Sequence, residues 1–216
     1  MMLALQPAIV GGELVRLQTR QHVVALTFDG GGNADGVKTI LKTLRRERVP
    51  ATFFLTGLFV RAYPEIARAI GRRYLVANHT VDHPHLTAMS NAAVRREITQ
   101  ANAVINRATG RDTRPLFRFP YGDRDARTLA ICHTLGYTSV RWTVDTWGWM
   151  GRSSQSVPGA IRRVRGRLVP GEIVLMHVGS SRDGSRIDTK ALPGVIRTVR
   201  ARGYRFVTLK GVRPPH

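Results

Sequence analysis

Residues 79–85 read HTVDHPH, with His79 and His83 at i and i+4. In a helical turn that spacing sets two imidazoles on one face, about 5–6 Å apart at Cβ, close enough to grip one small cation. Elsewhere single polar groups close short apolar runs: Asp29 after VVALTF, Arg118 and Tyr121 on either side of FP, Asp145 after YTSVRWTV, and His177 after EIVLM. A carboxylate that takes a proton from water, a histidine that returns one to a leaving group and a metal that polarises a carbonyl make a hydrolytic set. His85, behind Pro84, and Asp82, on another side of the turn, are expected to face away from it.

For those groups to meet, the runs before them must be parallel strands ending on one face. VVALTF (23–28), ATFFLT (51–56), YLVAN (74–78), LFRF (116–119), YTSVRWTVD (137–145), EIVLMH (172–177) and YRFVTL (204–209) are short, apolar and rich in β-branched or aromatic residues, as strands are. Helical patterns alternate with them, the first carrying Val37, Ile40, Leu41 and Leu44, then 64–73, 91–108, 124–136, 157–168 and 189–203. Asp35 is placed to cap the first helix, and Pro50 lies just past its end. Regular β–α alternation calls for a parallel sheet, closed as a barrel or open and doubly wound. In a barrel, groups at the C-terminal strand ends converge on one face, which is where Asp29, His79, Arg118, Asp145 and His177 all fall.

The 216 residues suit one domain, read as an N-terminal extension over 1–20 and a catalytic domain over 21–212. No apolar run approaches the roughly 20 residues that span a bilayer. The opening MMLALQPAIVGG has neither a basic start nor a small-residue cleavage site, so it is not read as a signal peptide. Cys132 is the one cysteine, which excludes an internal disulfide and, among apolar neighbours, reads as a buried thiol. The charge is unusual: 34 Lys and Arg against 14 Asp and Glu give +20. A polyanion is the expected neighbour, whether nucleic acid, an anionic cell-wall polymer or a membrane surface. Arg45, Arg46, Arg72, Arg73, Arg95, Arg96, Arg162 and Arg163 are spread through helical patterns with no nucleic-acid motif, which favours solvated helix faces over a specific nucleic-acid groove.

Five segments, in order, resemble the motifs of the polysaccharide deacetylases, carbohydrate esterase family four: TFDGG (27–31), HTVDH (79–83), RFPYG (118–122), VDTWGW (144–149) and LMH (175–177). The similarity runs from about Val23 to Leu209. It implies an α/β fold, a deformed (β/α) barrel of about seven parallel strands. It also implies a metal-dependent hydrolase that removes N-acetyl groups from peptidoglycan or chitooligosaccharide in the cell envelope or outside the cell. An O-acetyl polysaccharide esterase and a glycan-binding pseudoenzyme are the alternatives. The metal would be zinc, with cobalt or nickel able to take a similar place. Carried over by position, Asp29 is the general base, His79 and His83 are metal ligands, and Arg118 orients Asp29. The Tyr121 N–H helps hold the oxyanion, Trp149 and Leu175 line a pocket for the acetyl methyl, and His177 is the general acid.

The chain departs from the family pattern twice. Where the first motif usually has a second aspartate as third metal ligand, this chain has Gly30. Asp35 folding back, Asp29 itself or solvent would then complete the site. Where the fourth motif usually has an aspartate that supports the acid histidine, it has Gly148, leaving Asp145 as the remaining candidate. With a net charge of +20 and no carboxylate at 148, His177 is expected to lose its proton early as pH rises, and Gly148→Asp to correct this.

Overall fold

The computed structural model describes residues 12–212, so residues 1–11 of the segment weighed as a signal peptide lie outside the described residues. In chain order the elements are β1 (Glu13–Leu14), β2 (Val23–Gly30), α1 (Val37–Arg46), β3 (Thr52–Leu55), α2 (Gly57–Ala62), α3 (Pro64–Gly71), β4 (Leu75–Asn78) and α4 (Asn91–Thr109). They continue with β5 (Leu116–Phe117), α5 (Ala126–Thr134), β6 (Thr138–Val140), β7 (Val144–Asp145), α6 (Val157–Arg167), β8 (Glu172–His177), α7 (Ile187–Ala201) and β9 (Arg205–Val207).

Among the described residues the strands form one nine-stranded sheet in the order β1-β6-β5-β4-β3-β2-β8-β7, with β9 pairing β2. Each strand pair is parallel. The sheet curls into a deformed barrel, as expected, but one expected strand is two. The run 137–145 breaks at residues 141–143, so that β6 pairs with β5 and β1 while β7 pairs with β8. Arg141 N–H then donates to the Leu14 carbonyl and Thr143 N–H to Ile173, at 2.9 Å each. One bent chain segment thereby joins the two ends of the sheet. Glu13 and Leu14, within the N-terminal extension, add β1 to its edge.

The strands sort their side chains by alternation. Along β2, Val24, Leu26 and Phe28 pack against the helices in one core, while Val23 and Ala25 fill the barrel in another with Phe54, Ala77, Val140 and Ile173. Thr27 and Asp29 continue the inward row. Their register partners on β8 are Leu175 and His177, so Asp29 and His177 lie side by side on neighbouring strands.

Helix starts follow local chemistry. Thr56, Ser90 and Ser156 accept hydrogen bonds from Phe59, Ala93 and Gly159 N–H, and Asp125 forms a capping box with Thr128. The expected cap at Asp35 is corrected: α1 starts from Gly36 with no side-chain cap. A Cβ at Gly36 would stand 2.1 Å from Thr189 Oγ1 and 2.6 Å from the Val178 carbonyl, so close packing on β8 and α7 sets that start. Helix α2 was not expected, since six residues are too short to display a periodic pattern.

Candidate active site

Asp29 points into the barrel mouth, and Arg118, one residue past β5, reaches across the barrel to it. Its Nη1 donates to Asp29 Oδ1 at 2.6 Å and its Nη2 to Thr27 Oγ1 at 2.9 Å. Nε donates to the Val140 carbonyl at 3.2 Å, and the guanidinium lies 4.0 Å from the Phe54 ring centroid. Arg118 is 1% exposed, so its charge is balanced inside the protein. Burial alone would raise the Asp29 pKa, but Arg118 first, then His79 and His177, outweigh it and hold the carboxyl below its ordinary range. It is therefore an anion at neutral pH.

His79 follows β4 and donates from Nδ1 to the Arg118 carbonyl at 2.8 Å, a bond that leaves the Nε2 lone pair facing Asp29 Oδ2 at 3.5 Å. The two imidazoles meet as expected but not on a helix. Thr80 and His83 take left-handed backbone, φ 69° and 60°, and the Val81 and Asp82 N–H groups donate to Glu97 instead of extending a helical ladder. This turn sets the His83 ring edge-on to His79, with centroids 4.8 Å apart. Burial pulls the His79 pKa down, and burial foremost, with His79 close by, pulls His83 to about 4. Both rings are neutral at pH 7, the form that binds metal. His85 stands apart, stacked on Tyr121 at 4.2 Å and bonded to Asp123 at 2.9 Å. Asp82, expected to face away, lines the cleft instead, because the turn carries it to the rim.

Two neutral imidazoles with ring centroids 4.8 Å apart, next to the Asp29 carboxylate, have the donor chemistry to hold a divalent ion. A third protein donor does not join them: among the described residues no three His, Cys, Asp or Glu side chains form a metal-holding group. Gly30 shows why. It lies on the helix-facing row of β2, and a Cβ there would stand 2.9 Å from Leu55 Cδ2 and 3.4 Å from Val178 Cγ2. Asp35 is engaged elsewhere, accepting from Ser180 Oγ at 2.5 Å.

The cleft over these groups holds about 600 Å³, walled by Tyr121, Trp142, Trp149 and Leu175, with Asp145 and His177 at its base. Tyr121 has φ 58° in the turn Pro120–Gly122 and is 62% exposed. Trp149 is 52% exposed, tethered by Nε1 to Asp145 Oδ2 at 3.1 Å. The other Asp145 oxygen accepts from Trp147 N–H at 2.8 Å, so this carboxylate fixes the tryptophan loop and does not pair with His177.

The partner of His177 is Asp188, in the first turn of α7. Its Oδ2 accepts from the His177 backbone N–H at 2.8 Å and lies 3.6 Å from His177 Nδ1, while Oδ1 accepts from Thr146 Oγ1 at 2.6 Å. Burial pulls the His177 pKa down, but Asp188, Asp29 and Asp145 outweigh it and the net direction is up. The expectation that His177 lacks a carboxylate partner is thus corrected: Asp188 supplies one from α7. The only sequence trace of Asp188 is an acidic residue in a helix's first turn, ordinarily explained by the helix dipole.

A family model described as polysaccharide deacetylase matches residues 16–140. The chain is 33% identical over 189 residues to a peptidoglycan-N-acetylglucosamine deacetylase of Bacillus cereus, covering 86% of this chain and 66% of that one. It is 30% identical over 208 residues to a chitooligosaccharide deacetylase of Azorhizobium caulinodans, covering 92% and 98%. Among solved structures, a CE4 family pseudoenzyme from Bacillus anthracis superposes with a TM-score of 0.83 at 26% identity, covering 93% of this chain and 70% of that one.

Proposed function

The chain belongs to the polysaccharide deacetylase family, and from that premise we propose that it removes N-acetyl groups from an amino-sugar polymer of the cell envelope, peptidoglycan or chitooligosaccharide. The observation that carries this reading is the buried Asp29–Arg118 pair beside a protonatable His177 at the base of a glycan-sized cleft. The family generally uses a divalent metal. Here His79 and His83 would hold it, zinc suits two imidazoles, and when bound it would supply Lewis-acid polarisation of the acetyl carbonyl.

The chain's own residues account for the proton movements. Asp29, an anion fixed by Arg118, takes a proton from the water that adds to the acetyl carbon. The Tyr121 N–H would donate to the oxygen that becomes negative. Leu175 and Trp149 enclose the methyl group. His177 gives its proton to the sugar nitrogen as the C–N bond breaks, leaving acetate and a free amine. The proton held by Asp29 passes to His177, and the acetic acid's own proton is released to solvent, which restores both residues.

The absence of a side chain at Gly30 favours a second reading, a glycan-binding protein with a weakened metal site. Acetate release from an acetylated chitooligosaccharide, measured with metal content across a zinc titration, separates the two. Release that rises with zinc supports the deacetylase. Glycan binding without release at saturating zinc supports the second reading and sinks the first. Acetate released only from O-acetylated xylan would assign the ester in place of the amide.

A further inference from the structure

The glycine at 148 is complementary to Asp188. An ideal Cβ at Gly148 would fall 2.2 Å from Asp188 Oδ1 and 2.3 Å from its Cγ. The α7 carboxylate thus fills the space where a side chain at 148 would begin. It is 3% exposed and meets His177 twice, at the backbone N–H and near Nδ1. Nδ1 itself is buried and has no hydrogen-bond partner, so Asp188 Oδ2 at 3.6 Å is placed to receive its proton after a small rotation of the ring.

We propose that Asp188 is the positioning residue for the acid histidine: a carboxylate delivered from the start of α7 sets the His177 tautomer and ring orientation, and Gly148 is the vacancy that admits it. This rests on the deacetylase reading of the cleft. A carboxylate at Nδ1 keeps the proton there, turns Nε2 toward substrate and favours the charged ring that a general acid needs. The acidic groups that face His177 are Asp29 from β2, Asp145 from β7 and Asp188 from α7, with His79 and His83 across the cleft opposing them. Asp29 is committed to Arg118 and Asp145 to Trp147 and Trp149, which leaves Asp188 to hold the ring. Asp188 and Gly148 are therefore interdependent. A carboxylate can stand at either position, and the two together collide.

Four proteins test this: wild type, Asp188→Asn, Asp188→Ala, and Asp188→Ala combined with Gly148→Asp. Each is assayed for kcat and KM against pH on an acetylated chitooligosaccharide with saturating zinc, and the His177 ring is titrated by NMR without substrate. Both single variants should lose about 10- to 100-fold in kcat with KM little changed, and the NMR midpoint of His177 should fall by about one pH unit or more. The double variant should regain most of both, because Gly148 has an ordinary backbone conformation that accepts a side chain once Asp188 is truncated. A folded Asp188→Asn with wild-type kcat and an unmoved His177 midpoint would overturn the proposal and leave Asp188 as a brace for Thr146. Restored Tm without restored kcat in the double variant would overturn it also. If wild type releases no acetate, the deacetylase reading fails, while the NMR titration still decides whether Asp188 holds His177.

Discussion

At the scale of single residues, the Asp29–Arg118 pair ties chemistry to stability. Both charges are buried, and removing one strands the other in a medium that solvates it poorly. Asp29→Asn should therefore cut kcat by about 10²–10⁴-fold and also cost about 3–5 kcal/mol of stability, read by denaturant unfolding. The pH dependence has a definite sign. The folded carboxyl titrates below its ordinary 3.8, so its stabilisation is complete above that value and is lost as pH falls through the folded one. The asparagine variant should lack that acid-side slope, and an unchanged slope would mean the pair is not charged in the fold. The imidazoles give a separate test: His79→Ala and His83→Ala should each lose zinc on dialysis that wild type withstands, and retention by both would remove the ligand assignment. Asp29, His79, Arg118 and His177 were legible in the sequence because each closes a short apolar run and belongs to a contiguous motif. Asp188 was not, because its role depends on α7 returning to β8 and on a missing Cβ forty residues upstream.

At the scale of elements, β8 carries His177, the proposed acid, at one end and an opposite liability at the other. Glu172 is fully buried, accepts from Val169 N–H through Oε2 at 3.1 Å and leaves Oε1 without a partner. Burial raises its pKa to about 7. Between 4.5 and about 7 the unfolded chain has released this proton and the folded chain has not, so stability falls as pH rises through that window. Glu172→Gln should remove the penalty, giving a protein more stable than wild type by up to about 3 kcal/mol at pH near 8, with the gap closing near pH 4. Equal stabilities across that range would show that water or a neighbour already serves the carboxylate. The strands were legible because apolar, β-branched runs have few alternatives in a parallel sheet. The 79–83 turn was not, since left-handed backbone at Thr80 and His83 is imposed by Glu97 and the surrounding packing and leaves no mark in composition. The break at 141–143 was hidden likewise, because a strand that changes partners keeps the same apolar pattern on both sides.

At the scale of the whole molecule, positive charge other than Arg118 lies mostly outside and the carboxylates about the cleft lie within. Arg45, Arg46, Arg95, Arg96 and Arg162 are exposed on helices and Arg72 and Arg73 in the turn after α3, while Asp29, Asp145 and Asp188 are buried about the cleft. Arg163 alone of that series turns inward, its guanidinium 3.2 Å from the Trp147 ring centroid and its Nε bonded to the Asp145 carbonyl. The net charge of +20 should therefore act at long range on anionic polymers of the envelope without steering the chemistry itself. Surface fields are screened over about 10 Å at 0.1 M salt, whereas buried pairs a few ångströms apart are screened far less. Affinity for a phosphodiester wall polymer, followed by co-sedimentation, should then fall about tenfold or more between about 0.05 and 0.2 M salt, by release of condensed counterions. Over the same range kcat/KM on a neutral chitooligosaccharide should change by less than about twofold. A salt-independent affinity would point to a specific polymer site in place of the diffuse field. A steep salt dependence of kcat/KM on the neutral substrate would instead mean that the surface arginines reach the cleft and belong to substrate binding.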